Sequence, residues 1–145
     1  PSRSFNAARH GHERVVDLLL QHGAEINLQS SKGVTALMTA ANCGHKRVVE
    51  LLLRHGAEIN LQDSDGDTAL MYAAGEGHER VVELLIRHGA EINLQQRGGL
   101  TALMGAAADG HLPNLLRLLA AEDVRLALQT AGPRCRSPRR RRPRC

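Results

Sequence analysis

The chain has 145 residues, 42% of them hydrophobic, which suits one compact unit and is short for two. No stretch approaches the roughly 18–20 uninterrupted apolar residues of a bilayer-spanning helix, and no apolar signal core opens the chain, so an intracellular location, cytoplasmic or nuclear, is expected. Three cysteines without CxxC spacing (Cys43, Cys135, Cys145) fit reduced thiols, and the net charge of +4 resides in one place: seven of the 19 Lys+Arg lie between Arg134 and Arg144, leaving twelve against 15 Asp+Glu in the body.

A 33-residue period organises everything before those arginines, relating His12, His45, His78 and His111, then Gly23, Gly56 and Gly89, then Thr35, Thr68 and Thr101. Residues 1–29 form a truncated first copy: Ser2 falls opposite Thr35 and Phe5 opposite Met38, so the copy opens at its first helix without the preceding turn. With Pro1 in the place of a methionine, the expectation is a fragment of a longer array.

Residues 30–62 and 63–95 are complete copies. His45 to Gln62 and His78 to Gln95 differ only at Lys46/Glu79 and Leu53/Ile86, so the copies cannot each hold a different chemical site. In the third copy, Thr68 is suited to cap a short apolar helix through Ala74. Gly77-His78 breaks that helix, and Val81, Val82, Leu84, Leu85 and Ile86 then form the apolar stripe of a second one. Gly89 supplies a left-handed helix end, His88 favours the negative end of the dipole, and Asp63-Ser64-Asp65-Gly66 is turn chemistry. Helices this short are not stable alone, so they must stack.

Residues 96–129 read as a degenerate fourth copy. One extra residue after His111 aligns Asn114–Leu119 with Arg80–Leu85 and brings Gln129 opposite Gln95, while Asp123 replaces the helix-ending glycine and Pro113 sits near the helix start. Residues 130–145 form an Arg/Pro-rich tail expected to be disordered.

The pattern Gly-x-Thr-Ala-Leu-Met-x-Ala-Ala-x-x-Gly-His-x-x-Val-Val-x-Leu-Leu-x-x-Gly-Ala-x-Ile-Asn resembles the ankyrin repeat, from about Ser2 to Gln129. It departs at Ala36, Ala69 and Ala102 and at Met38, Met71 and Met104, where the family usually has Pro and His; a preset first-turn proline is lost. The resemblance implies an all-α solenoid of stacked helix-turn-helix units joined by β-turn or hairpin loops. It also implies a concave groove for a protein partner, made of turn tips and the exposed side of each first helix. Carried onto this chain, that groove comprises Ser31, Lys32, Val34, Asn42 and Cys43; Ser64, Asp65, Asp67, Gly75 and Glu76; and Arg97, Gly98, Leu100, Ala108 and Asp109, with Gln29, Gln62 and Gln95 at the junctions. The tip and helix-end positions of this set vary most between near-identical copies. Asn27, Asn60 and Asn93 match asparagines that can be hydroxylated in the family, against the alternative of turn asparagines bonding their own backbone.

No enzyme, metal or cofactor site is expected. Seven of the eight histidines are periodic, His12-Glu13 and His78-Glu79 lack the second histidine of HExxH, and neither a phosphate loop nor a GxSxG elbow occurs. Cys43 ends a first helix, where a thiol is either reactive or passive. Tyr72 and Phe5 are expected to face the interior, which leaves the surface short of hot-spot anchors. Asp63, Asp65, Asp67 and Glu76 make the third copy locally acidic and predict a basic partner segment on a monomeric module. Arg134, Arg136, Arg139, Arg140, Arg141, Arg142 and Arg144 suggest either a nuclear-import or nucleic-acid patch or a passive solvated tail, with Ser137 a candidate phosphorylation site. A third alternative is a regulatory or spacer segment of a larger protein.

Overall fold

The computed structural model describes residues 2–129 and builds them from paired helices. These are α1 (Ser2–Arg9) and α2 (Glu13–Gln21), α3 (Ala36–Cys43) and α4 (Lys46–Arg54), α5 (Ala69–Glu76) and α6 (Glu79–Arg87), and α7 (Ala102–Ala108) and α8 (Leu112–Gln129). The odd-numbered helices pack in one layer and the even-numbered helices in a second, each pair resting on the one before it. Among the described residues there is no strand.

The second, third and fourth pairs each start with a threonine in extended backbone. Thr35, Thr68 and Thr101 accept the N–H of Met38, Met71 and Met104 through Oγ1 at 3.2, 3.3 and 3.4 Å, satisfying one orphan donor of the first turn without the usual proline. Ala40, Ala41, Ala73, Ala74 and Ala106 are fully buried, and their small side chains let the odd-numbered helices approach closely. Leu37, Leu52, Leu70, Leu85, Val48 and Val81 fill the space between the layers, and Met38 is buried with them where the family usually places a histidine.

The Gly-His break joins repeats as well as helices. Gly44 and Gly77 end α3 and α5 at φ of 76° and 81°. His45, His78 and His111 follow these breaks, and each ring donates through Nε2 to a carbonyl of the preceding repeat: Arg9 at 2.8 Å, Asn42 at 2.9 Å and Gly75 at 3.0 Å. At the other end of each second helix, His22, His55 and His88 donate through Nδ1 to the carbonyls of Leu18, Leu51 and Leu84. Their role is thus a hydrogen bond to the last turn, a local version of the expected dipole interaction.

The fourth repeat keeps the 33-residue register with no inserted residue, unlike the alignment drawn from its leucines. His111 makes the bond that His78 makes one period earlier, which fixes where α8 starts and therefore its phase. Asn114 then takes the buried place of Val81 and Leu118 that of Leu85, both almost fully buried. Arg117 takes the place of Leu84 and reaches Glu79 at 3.4 Å and Glu83 at 3.2 Å on α6. Leu112 and Leu116 fall on the outward positions of Glu79 and Glu83 and are exposed. In this register Glu122, and not Asp123, stands in the place of Gly89, and without a glycine there α8 continues to Gln129, twice the length of α4 or α6.

Candidate functional site

Before the second, third and fourth pairs of helices the chain makes a five-residue turn, closed by Ser30, Asp63 and Gln96, whose N–H groups donate to the carbonyls of Val34, Asp67 and Leu100 at 2.9, 3.0 and 2.9 Å. One side chain holds each turn from within. Ser30 Oγ accepts from Lys32 and Val34, Asp63 Oδ1 accepts from Asp65 and Asp67, and Gln96 Oε1 accepts from Gly98. The same backbone shape is therefore built by three chemically different residues, and the tip residues are free to vary.

Successive turns are laced together. Ser64 donates its N–H to the Lys32 carbonyl at 2.9 Å, and Arg97 to the Asp65 carbonyl at 2.7 Å. Gln29 Nε2 donates both to Gly33 O in its own turn and to Gln62 O in the next repeat, and Gln62 Nε2 repeats this with Gly66 O and Gln95 O. The junction glutamines, expected in the partner groove, thus spend their amides on the frame, as Gln95 also does on Gly99 O.

Of the sequence-predicted site residues, Ser31, Lys32, Ser64, Asp65 and Arg97 are exposed at the tips, Leu100 is exposed one step later, and Val34 and Asp67 are half-buried. Asn42, Glu76 and Asp109 are exposed at the ends of α3, α5 and α7, with Cys43 half-buried beside Asn42. Adjacent helix ends approach closely: a Cβ on Gly75 would lie 3.8 Å from Asp109 Oδ2. Asn27 and Asn60 do not bond their own backbone; each Oδ1 accepts an N–H of the next repeat, from Glu58 and Glu91, at 2.8 Å. Asn93 is exposed. The arginines from Arg134 to Arg144, and Ser137, lie outside the described residues.

The third turn concentrates charge. One carboxylate oxygen from each of Asp63, Asp65 and Asp67 lies within 4.8 Å of the others. Asp63 is the inner member, because its second oxygen accepts the Tyr72 hydroxyl, so its role is structural and only Asp65 stands fully outward. Burial, and then the neighbouring Asp63 and Asp65 carboxylates, push the Asp67 carboxyl above the usual range, against a hydrogen bond from the Gln96 side chain. Burial also pushes the Tyr72 phenol up, reinforced by its hydrogen bond to Asp63. Tyr72 is half-buried, its ring packed against the core and its hydroxyl turned to the loop. Its link to Asp63 was not foreseen from the sequence; the signal available was an aromatic nine residues after an aspartate in one copy only, where the second has Thr39 after Ser30.

A two-layer helical solenoid with laced turns and variable tips is a repeat protein whose exposed row is available for recognition. Ankyrin repeats, three copies in the family model, match residues 4–96, and the chain belongs to the ankyrin-repeat family. Such repeats are generally protein–protein interaction modules. No curated protein individually matches the chain. Among the described residues no helix is long and apolar enough to cross a membrane.

Proposed function

We propose that this chain is a protein-recognition module whose partner lies along the row formed by the turn tips and the ends of α3, α5 and α7. The observation that carries this reading is the lacing of one turn to the next, Lys32 to Ser64 and Asp65 to Arg97, which holds the tips in place before any partner arrives and lowers the ordering cost of binding. The partner segment is basic where it crosses the third repeat, because Asp65, Asp67 and Glu76 give that stretch one sign of charge.

Selection of displayed peptides against the full chain and an Asp65→Lys/Glu76→Lys variant tests this. Both residues are exposed, so the variant keeps its fold. Lysine- and arginine-rich peptides enriched on the wild type and lost on the variant support the reading. Equal enrichment on both proteins removes the acidic tips from the site.

A further inference from the structure

The charges of the stack are sorted by layer. Among the described residues the ion pairs join the even-numbered helices or their ends. Arg47 of α4 lies 3.8 Å from Glu13 of α2, His55 lies 3.8 Å from Asp17, and Arg117 of α8 reaches Glu79 and Glu83 of α6. The turn tips and the ends of the odd-numbered helices take no part in these pairs. Arg9, Lys32, Asp65 and Glu76 therefore stand exposed without an ionic partner among the described residues.

Along that row the sign of charge changes between the second repeat and the third. No Asp or Glu lies between Glu25 and Glu50, and Lys32 stands at the tip of the second turn. No Lys or Arg lies between Arg54 and Arg80, where the third repeat places Asp65, Asp67 and Glu76. Arg9 extends the positive side. It holds the helix-end place of Asn42 and Ala108, which stay exposed with a preceding repeat stacked against them. The fourth repeat has one charge of each sign in the row, Arg97 and Asp109.

Lys32 and Asp65 hold the same place in successive turns, and those turns are tied by the bond from the Ser64 N–H to the Lys32 carbonyl at 2.9 Å. The two side chains nevertheless do not pair. Opposite charges held side by side on fixed tips, each unpaired, present a two-signed surface to whatever lies across them.

We propose that the partner segment is bipolar, with an acidic residue over Lys32 on the Arg9 side and a basic residue over Asp65 and Glu76. The proposal rests on the recognition row described under the proposed function and adds a second charge to its partner. First helices packed through small side chains stand about 8–10 Å apart, and an extended chain covers that in roughly three residues. The acidic and basic residues of the segment are thus roughly three positions apart. A uniformly basic segment would set a like charge against Lys32, so the same row that attracts the bipolar segment discriminates against the uniform one.

Selection of displayed peptides against the full wild-type chain, Lys32→Glu and Asp65→Lys/Glu76→Lys tests this. Among the described residues Lys32 joins the fold only through its backbone N–H and carbonyl, so Lys32→Glu should keep the wild-type thermal midpoint. The arginines from Arg134 to Arg144 are common to all three proteins, so a preference that changes between them belongs to the row. The wild type should enrich segments with an acidic and a basic residue about three positions apart. Lys32→Glu should turn the preference to uniformly basic segments, and Asp65→Lys/Glu76→Lys to uniformly acidic ones. A synthetic peptide of the wild-type pattern should bind Lys32→Glu about 3- to 10-fold more weakly, one exposed attraction having become a repulsion. Basic segments enriched equally on the wild type and Lys32→Glu, with no acidic position, overturn the bipolar partner and leave the basic one standing. Peptides that do not distinguish the three proteins overturn both.

Discussion

Asn27 accepts the backbone N–H of Glu58 through Oδ1 at 2.8 Å, so a side chain at the end of one repeat holds the loop of the next. The bond ties two units that are stable only when stacked. Asn27→Ala should therefore destabilise the protein by about 1 kcal/mol, the net worth of one such bond. Urea unfolding would register this as a lower midpoint at unchanged slope, and amide exchange should show faster exchange at Glu58. A loss of stability with Glu58 exchange unchanged would return Asn27 to a role inside its own repeat.

Gly44 and Gly56 both have left-handed backbone, at φ of 76° and 89°, but only Gly44 faces a neighbour. A Cβ there would meet the His78 ring at 2.6 Å, whereas nothing lies within 4 Å at Gly56. Gly56→Ala should cost about 1–2 kcal/mol from conformation alone. Gly44→Ala carries that cost plus displacement of His78 from the Asn42 carbonyl, so its thermal midpoint should fall clearly further. Equal losses would mean that the histidine moves aside freely.

Much of this architecture was legible in the sequence, because each repeat writes its own local rules. The threonine caps, the Gly-His breaks and the apolar stripes act within a few residues and recur at a fixed spacing. Side-chain bonds that leave their repeat were not legible: Asn27 looks like a turn residue, Gln29 like a groove residue and His45 like part of a helix break, and only the stacked neighbour reveals where their bonds go. The register of the fourth repeat was misjudged for a related reason. Matching leucine to valine favours an inserted residue, but the bond from His111 to Gly75 sets the start of α8 and forces Asn114 inward and Leu116 outward. At the candidate site, sequence variation marks residues that stand at the turn tips, but the acidic stretch read from the sequence counts Asp63 with Asp65, and only the structure separates the outward Asp65 from Asp63, which is spent on the turn.

Asn114 is nearly fully buried in the place of Val81. Its Nδ2 donates to the Ala74 carbonyl at 3.3 Å, while its Oδ1 has no partner. The Ala74 carbonyl also accepts the N–H of Gly77, so losing the asparagine strands no backbone group. Asn114→Val should raise stability by about 1 kcal/mol or more, by removing a buried unsatisfied oxygen and restoring an apolar contact. The measurement is the thermal midpoint of the fourth repeat, followed through the exchange of α7 and α8 amides. A lowered midpoint would assign Asn114 a second hydrogen bond, to a bound water.

Asp67 sets the pH response of the acidic turn. Its folded-state pKa is raised, first by burial and then by Asp63 and Asp65, so the fold favours the protonated form. The stabilisation from that form is present below the ordinary carboxylate range and is lost as pH rises through the raised value. At about pH 7 the wild type thus bears the cost of a charged Asp67, and Asp67→Asn should be the more stable protein. Near pH 3, where Asp67 is protonated in both folded and unfolded chains, the difference should vanish. Urea midpoints of the two proteins at both pH values decide it; a variant less stable than wild type at neutral pH would mean that Asp67 holds the turn through its charge. The same reasoning links stability to recognition. A cationic partner segment neutralises charges that the fold holds unfavourably close, so its binding should stabilise the wild type more than Asp67→Asn, and more at neutral pH than in acid.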